Sequence, residues 1–318
     1  MNSIVLQNIT KWYGPLCAVR DLSLEVENEI FGLLGPNGSG KTTTIRMLTT
    51  LLEPTEGKAF VCGHEIRENP GKVREKISYV PQEMAVDAKF TGRENVRFYA
   101  KMYGVKDREN RIDDALAVMD LSDRADEPVK NFSGGMRRRL ELAQALVHEP
   151  EVLFLDEPTV GLDVAARKKI WEHINSLRKN GMTVFVTTHY LEEADAACDR
   201  IAILDKGQVV AIGTPAHLKN HLIKDVIIAR ITGEYTPTIT PGYSFKKQEG
   251  DELFFLADSG SEIIPELVAD IGRQGLQLHS ISLREPRLDD VFLESVSIQE
   301  EKGRFNDVKF RTMLRRTR

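Results

Sequence analysis

The sequence predicts an α/β protein: a mostly parallel sheet with helices packed on it, followed by a smaller α/β unit. Three observations carry this. The runs 30–34, 152–155, 184–187 and 201–204 are short and apolar, as strands covered on both faces are. Helical stretches lie between them at about 164–179 and 190–197, and strands alternating with helices make parallel βαβ units. The 318 residues allow about two domains, at roughly 150 residues each.

In chain order, residues 4–9 form a first strand and 22–26 a second, whose apolar and polar residues alternate as in a half-buried strand. Residues 30–34 form the third. A Gly-rich turn follows, then a helix over about 41–52. Between Glu83 and Asn131 the pattern changes. Residues 95–103 and 112–119 read as amphipathic helices with no strand among them, a helical insertion on the core. The core pattern ends near Gly213, where Thr214 is placed to cap a short helix beginning at Pro215. From about Asp225 a second unit reads strand (226–231), loop, strand (253–257), helix (262–273) and strand (276–283). Its Pro/Gly/Thr-rich stretch 233–242 reads as a surface loop, and a short helix over 288–295 closes it. Residues 302–318 hold seven basic residues against one acid, Asp307. They read either as a solvated tail or as a contact for anionic lipid headgroups or an acidic partner.

Composition narrows the function classes. Hydrophobic residues are 41% and charged residues 29%, which excludes a disordered or fibrous chain. The net charge of -5 argues against holding nucleic acid by bulk charge. No uncharged apolar run reaches the roughly 18 residues of a membrane span, so no spanning helix of its own is expected. Residues 1–8 lack the basic-then-apolar layout of a signal peptide. Cys17, Cys62 and Cys198 are scattered with no CxxC pattern, which points to a reduced, cytosolic chain.

The residues that carry chemistry begin with Gly35, Pro36, Asn37, Gly38, Ser39, Gly40, Lys41, Thr42 and Thr43. They fit GxxxxGK[ST] between an apolar strand and a helix, the context that a phosphate-binding loop requires. The glycines let successive N–H groups face one centre, and the helix start adds partial positive charge. Lys41 brings a full charge to the β- and γ-phosphates, and Thr42 offers a hydroxyl to Mg²⁺. The strand 152–155 leads into Asp156 and Glu157. Asp156 is expected to bind Mg²⁺ through water, since this ion keeps several waters. Glu157 is expected to stand beside the γ-phosphate and polarise the attacking water. Together these elements say NTPase.

Asn131, Phe132, Ser133, Gly134, Gly135 and Met136, followed by Arg137, Arg138, Arg139 and Leu140, resemble the LSGGQ signature and basic, Leu-rich helix of ATP-binding cassette (ABC) proteins. Phe132 stands in place of Leu and Met136 in place of Gln; Ser133 and both glycines are kept. The resemblance covers about residues 3–220. It implies that Gln82 reaches Mg²⁺ and the water, that Gly161, Leu162 and Asp163 contact a partner subunit, that His189 touches the γ-phosphate, and that Tyr13 stacks on adenine. Trp12 competes for that last role, although one of two neighbouring strand residues should face away. More narrowly, residues 31–38, 51–57 and 288–293 are similar to the drug-resistance subfamily of exporters, the daunorubicin-resistance ATPases among them.

That resemblance implies a P-loop NTPase cassette with an antiparallel β subdomain and a helical insertion. It would occupy residues 1–222, with the insertion at about 84–148. A small α/β domain over 223–300 and the basic tail over 301–318 would follow. ATP would lie between the 35–43 loop of one cassette and Ser133, Gly134 and Gly135 of another, in a homodimer or with a paired subunit. A separate integral membrane permease would carry the cargo, leaving this chain peripheral at the cytoplasmic face. Residues 91–95 open the insertion and read either as the permease contact or as a capped helix start. Import is the runner-up to export. A soluble cassette of DNA repair would need long coiled-coil arms between Gln82 and Ser133, which do not fit. A plain P-loop kinase or GTPase leaves the Ser133 turn and His189 unexplained.

Overall fold

The chain was analysed as a computed structural model describing residues 2–222, 225–238, 241–257, 259–284, 287–288 and 290–291. It divides into two compact units, Met1–Gly213 and Thr214–Arg318. The short helix at Pro215 therefore falls with the second unit, whereas the sequence reading drew the boundary after residue 222.

The first unit opens with a hairpin of β1 (Ile4–Tyr13) and β2 (Leu16–Val26), then β3 (Ile30–Leu34) and α1 (Lys41–Leu48). Next come β4 (Glu56–Val61), β5 (His64–Glu65), α2 (Pro70–Lys76) and β6 (Ile77–Val80). Three helices form the insertion: α3 (Gly92–Met102), α4 (Arg108–Val118) and α5 (Gly134–Leu146). The chain then alternates through β7 (Val152–Asp156), α6 (Val164–Lys179), β8 (Thr183–Thr188), α7 (Leu191–Ala197) and β9 (Arg200–Asp205), and turns back through β10 (Gln208–Gly213).

These strands make two sheets. The antiparallel one has the order β2-β1-β4-β5, and the other has the order β10-β9-β3-β8-β7-β6. Within the second sheet β9, β3, β8, β7 and β6 are mutually parallel, and β10 is an antiparallel edge. Its inner strands β3, β7 and β8 are buried at every position, as expected for a sheet covered on both sides. One core joins the two sheets around α1. It combines Ile4, Leu6 and Val61 with Ile45, Met47 and Leu48 and with Phe31, Phe154 and Phe185. The Phe185 ring lies 5.5 Å from Phe31 and 5.7 Å from Phe154, centroid to centroid.

Several elements run further than the sequence pattern indicates, or escape it. β2 starts at Leu16 rather than at Leu22, because Asp21 (φ 46°) sits at a register shift that interrupts the alternation. α1 stops at Leu48 because Thr50 adopts φ 61°. β4, β6 and β10 have mixed polar and apolar residues and were not expected as strands. The whole-sheet consequence is positional. β3, β8, β7 and β6 are neighbours, and the register pairs Leu34 with Thr188, Asp156 with Thr187 and Val80 with Leu155. Their carboxyl ends therefore line up along one edge, where open α/β sheets bind ligands.

The second unit has α8 (Pro215–Leu222), β11 (Asp225–Thr232), β12 (Tyr243–Glu249), β13 (Glu252–Ala257), α9 (Gly260–Arg273) and β14 (Gln277–Arg284). Its sheet order is β12-β13-β11-β14, antiparallel throughout. Leu267 and Ile271 of α9 pack on Ile227, Ala229 and Phe255. The stretch after Gly233 is not simply surface loop: Tyr235 is buried, and its hydroxyl donates to Asp270 at 2.7 Å. Most of the expected closing helix (288–295) and all of the basic tail lie outside the described residues, although Leu288 and Val291 are buried.

Candidate functional site

The loop between β3 and α1 is built for an anion. Pro36, Asn37 and Gly38 are exposed at its rim, while Gly35 and Ser39 are buried. Gly40 is the N-cap of α1, has φ 108°, and leaves that helix start without a side-chain cap. A Cβ there would lie 2.5 Å from the Ala18 carbonyl oxygen, so only glycine allows the backbone through. By contrast Thr91, Ser133 and Asp163 cap α3, α5 and α6 with their own oxygens. The uncapped N–H groups of α1, together with its dipole, suit a phosphate. Among the described residues the buried Ser39 hydroxyl has no hydrogen-bond partner, and it adds a further donor. Thr43 follows Thr42 on the first turn and is half-buried.

Lys41 is buried, and its ammonium donates to the carbonyls of Gly35 (2.8 Å) and Pro36 (3.2 Å). It also lies 3.4 Å from Glu157 Oε1. The other Glu157 oxygen, Oε2, is 3.0 Å from His189 Nδ1 and 3.5 Å from Gln82 Nε2. Glu157 has a left-handed backbone, φ 48°, a conformation costly for a non-glycine residue. Its N–H holds that turn by donating to the Thr187 carbonyl and hydroxyl oxygens, both at 3.1 Å. Glu157 is thus a buried carboxylate with an ammonium on one oxygen and an imidazole and an amide near the other. Gln82 and His189 are exposed, so the Glu157 carboxylate lies beneath an accessible surface.

Asp156 is 1% exposed and accepts from Thr187 Oγ1 at 2.6 Å and from Thr42 Oγ1 at 3.3 Å. Among the described residues no group of three or more His, Cys, Asp or Glu could hold a metal by itself. Hard oxygens from Thr42 and Asp156, next to a loop shaped for phosphates, fit Mg²⁺. That ion takes one or two protein oxygens and fills its shell with phosphate and water.

The remaining expected site residues lie apart. Ser133 and Gly134 are exposed at the start of α5, where Ser133 Oγ accepts from Met136 N at 3.2 Å. Gly135 packs on α6: a Cβ there would come within 2.8 Å of Ala166 Cβ. Asp163 is also exposed, and its Oδ1 accepts from Ala166 N at 2.9 Å. Among the described residues no hydrogen bond or ion pair joins this pair of helix starts to Lys41. Tyr13 ends β1 with its ring exposed and Lys11 Nζ 5.5 Å above it. Trp12 is exposed as well. Both sit at the end of the β1–β2 hairpin, Trp12 paired with Cys17 and Tyr13 with Leu16. Residues 91–95 form a capped helix start: Thr91 and Glu94 complete a capping box, Asn95 is buried, and Arg93 pairs with Asp113 and Asp126. Their polar groups bond within the insertion, as in the capped-start reading of this segment.

Thr187 escaped the sequence reading, although it fixes both acids. Its signal was its place two residues before His189 on a buried strand. Arg138 also escaped notice. It is a buried cation that donates to the backbone around both acids.

Comparison with known proteins places this geometry. The ABC transporter family description matches residues 19–160. The linearmycin resistance ATP-binding protein LnrL of Bacillus subtilis is 37% identical over 90% of this chain and 96% of its own length. The Nod factor export ATP-binding protein I of Cupriavidus metallidurans is 38% identical, over 91% and 95%. The daunorubicin/doxorubicin resistance ATP-binding protein DrrA of Streptomyces peucetius is 37% identical, over 92% and 91%. Among solved structures, the dimeric post-hydrolysis ATP-binding cassette MJ0796 with ADP and Pi superposes with a TM-score of 0.60 at 28% identity. That match covers 66% of this chain and 98% of the other.

Replacing Lys41 with alanine removes the ammonium that the Gly35 and Pro36 carbonyls hold. ATP affinity measured by equilibrium dialysis should fall by about tenfold or more, the scale of a lost charge-assisted contact. Unchanged affinity would show that the loop does not grip phosphate through Lys41.

Proposed function

The chain belongs to the ATP-binding subunits of ABC transporters, and from that membership we propose that it hydrolyses ATP at Glu157 to power export through a separate membrane permease. The observation that carries the proposal is the surroundings of Glu157. Lys41, Gln82 and His189 converge on one buried carboxylate beside a loop shaped for phosphate.

In this reading the 35–43 loop and Lys41 bind the β- and γ-phosphates, and the γ-phosphate competes with Glu157 for the Lys41 ammonium. A magnesium ion, when bound at Thr42 and Asp156, supplies positive charge to the phosphate oxygens. Glu157 then orients the attacking water and accepts its proton, with Gln82 and His189 fixing the carboxylate from the exposed side. Tyr13 stacks on the adenine. Cleavage leaves ADP and inorganic phosphate.

The exposed Ser133, Gly134 and Asp163 lie away from their own chain's loop, and a second copy supplies the loop that they face. Two ATP molecules then close two copies head to tail; that the solved MJ0796 cassette is dimeric with ADP and Pi bound supports this reading. Among the described residues no helix is long and apolar enough to cross a membrane, which supports a partner permease and a peripheral position at the cytoplasmic face. Relatives named for linearmycin and daunorubicin resistance and for Nod factor export support an amphipathic drug-like or lipid-like cargo moved outward. The permease docks on the apolar surface that the insertion leaves open. Phe90, Phe98 and Met102 are 46%, 57% and 66% exposed there, and clustered exposed apolar side chains mark interaction sites.

Two outcomes are expected. Glu157→Gln should still bind ATP but lose at least about a hundredfold in turnover, the range of a general base, and should elute as an ATP-dependent dimer. Wild-type turnover would remove Glu157 as the base. Phe98→Asp should leave the ATPase activity of the isolated chain intact and abolish co-purification with the permease from membranes; undiminished co-purification would move the docking surface elsewhere.

A further inference from the structure

A helix packed into a core normally buries an apolar stripe. α5 buries Leu140, Leu142 and Ala143 in this way, and with them Arg138, Glu141 and Gln144, at 3%, 4% and 3% exposure. Their spacing of three residues puts them on one face. Charges this far from water persist only with partners, and Arg138 has four. Nη1 donates to Glu141 Oε2 at 2.8 Å and to the Pro81 carbonyl at 2.7 Å. Nε donates to the Pro158 carbonyl at 2.9 Å, and Nη2 approaches the Asp156 carbonyl at 3.3 Å. The second Glu141 oxygen accepts from the Ala85 N–H.

The pattern of these partners is specific. Pro81 and Ala85 bracket Gln82; Asp156 and Pro158 bracket Glu157. One guanidinium therefore ties the segment that carries Gln82 to the segment that carries Glu157, and Glu141 closes the far side of the Gln82 turn. The guanidinium spreads its donors over three nitrogens in a fixed planar fork and so spans partners on separate segments, whereas an ammonium radiates its three donors from one atom. The same helix starts at Ser133, so the tie also fixes α5 to both segments.

From this geometry we infer that Arg138 and Glu141 are positioning residues for hydrolysis: they set Gln82 and Glu157 against each other while touching neither nucleotide nor water. The inference rests on the reading of Glu157 as the hydrolytic carboxylate. A loss of register of about 1 Å between such groups can cost on the order of a hundredfold in rate, with little effect on ATP binding at the loop.

The test uses the full chain and measures kcat, ATP KM and ATP affinity together. Arg138→Lys keeps the buried charge opposite Glu141 but gives up the multiple carbonyl contacts. Arg138→Met combined with Glu141→Leu removes the pair without stranding one charge, a change that cores often tolerate. Both should fold and bind ATP with KM within about threefold of the parent, while kcat falls on the order of a hundredfold. Parent-like kcat in either folded variant overturns the inference. A parallel Glu157→Gln separates the two levels: if it is inactive while the Arg138 variants are fully active, only the positioning role fails. If Glu157→Gln is itself fully active, the assignment of Glu157 fails and takes the positioning role with it.

Discussion

The parallel pairing of β3, β8, β7 and β6 is the constraint on which the rest depends. Each strand delivers one piece of chemistry at its carboxyl end: the phosphate loop, His189, the two acids, and Gln82. Because the register sets Leu34 beside Thr188, and Asp156 beside Thr187, these pieces arrive side by side without any long connection. A slip of one residue on a strand would reverse the faces of its side chains. In β7 and β8 it would point Phe154 and Phe185 away from the core around α1 and turn Asp156 away from Thr187. Packing and chemistry are therefore secured by the same pairing.

Around that row the chain divides its labour. Glu157 is buried and surrounded, so its orientation is set within one copy. The Ser133 and Asp163 helix starts are exposed, so they offer surface to something outside. The insertion shows the same economy. Its polar residues at 91–95 bond to one another and to neighbours within the insertion, and its apolar residues Phe90, Phe98 and Met102 are exposed. A subunit that must close on a second copy at one surface and push on a membrane partner at another has reason to separate the two in this way.

Much of this was legible in the sequence, and the limits follow from distance along the chain. The phosphate loop and the Asp156 strand are contiguous motifs whose local spacing specifies their geometry. His189 and Gln82 could be assigned only through resemblance, since nothing local distinguishes them. Arg138 could not be read at all: in sequence it is one of three consecutive arginines, and only the approach of α5 to the ends of β6 and β7 singles it out as buried. β6 was missed because Ser78 and Tyr79 break the apolar run, yet Ser78 is buried and bonded to the Ala145 carbonyl. In the second unit, Tyr235 sits in a Pro/Gly/Thr-rich stretch that reads as loop, and its burial comes from Phe245 and Phe255 on distant strands.

The central claim is that each ATP is gripped by the loop of one copy and the Ser133 turn of another. Mixing tests it most directly. A Lys41→Ala chain and a Ser133→Arg chain should each be inactive alone, because every dimer of one kind carries the same defect in both sites. Mixed dimers contain one site assembled from an intact loop and an intact turn, so combining the two inactive preparations should restore ATP turnover. If the mixture stays as inactive as its components, or if Ser133→Arg alone turns over at the parent rate, the shared grip is contradicted.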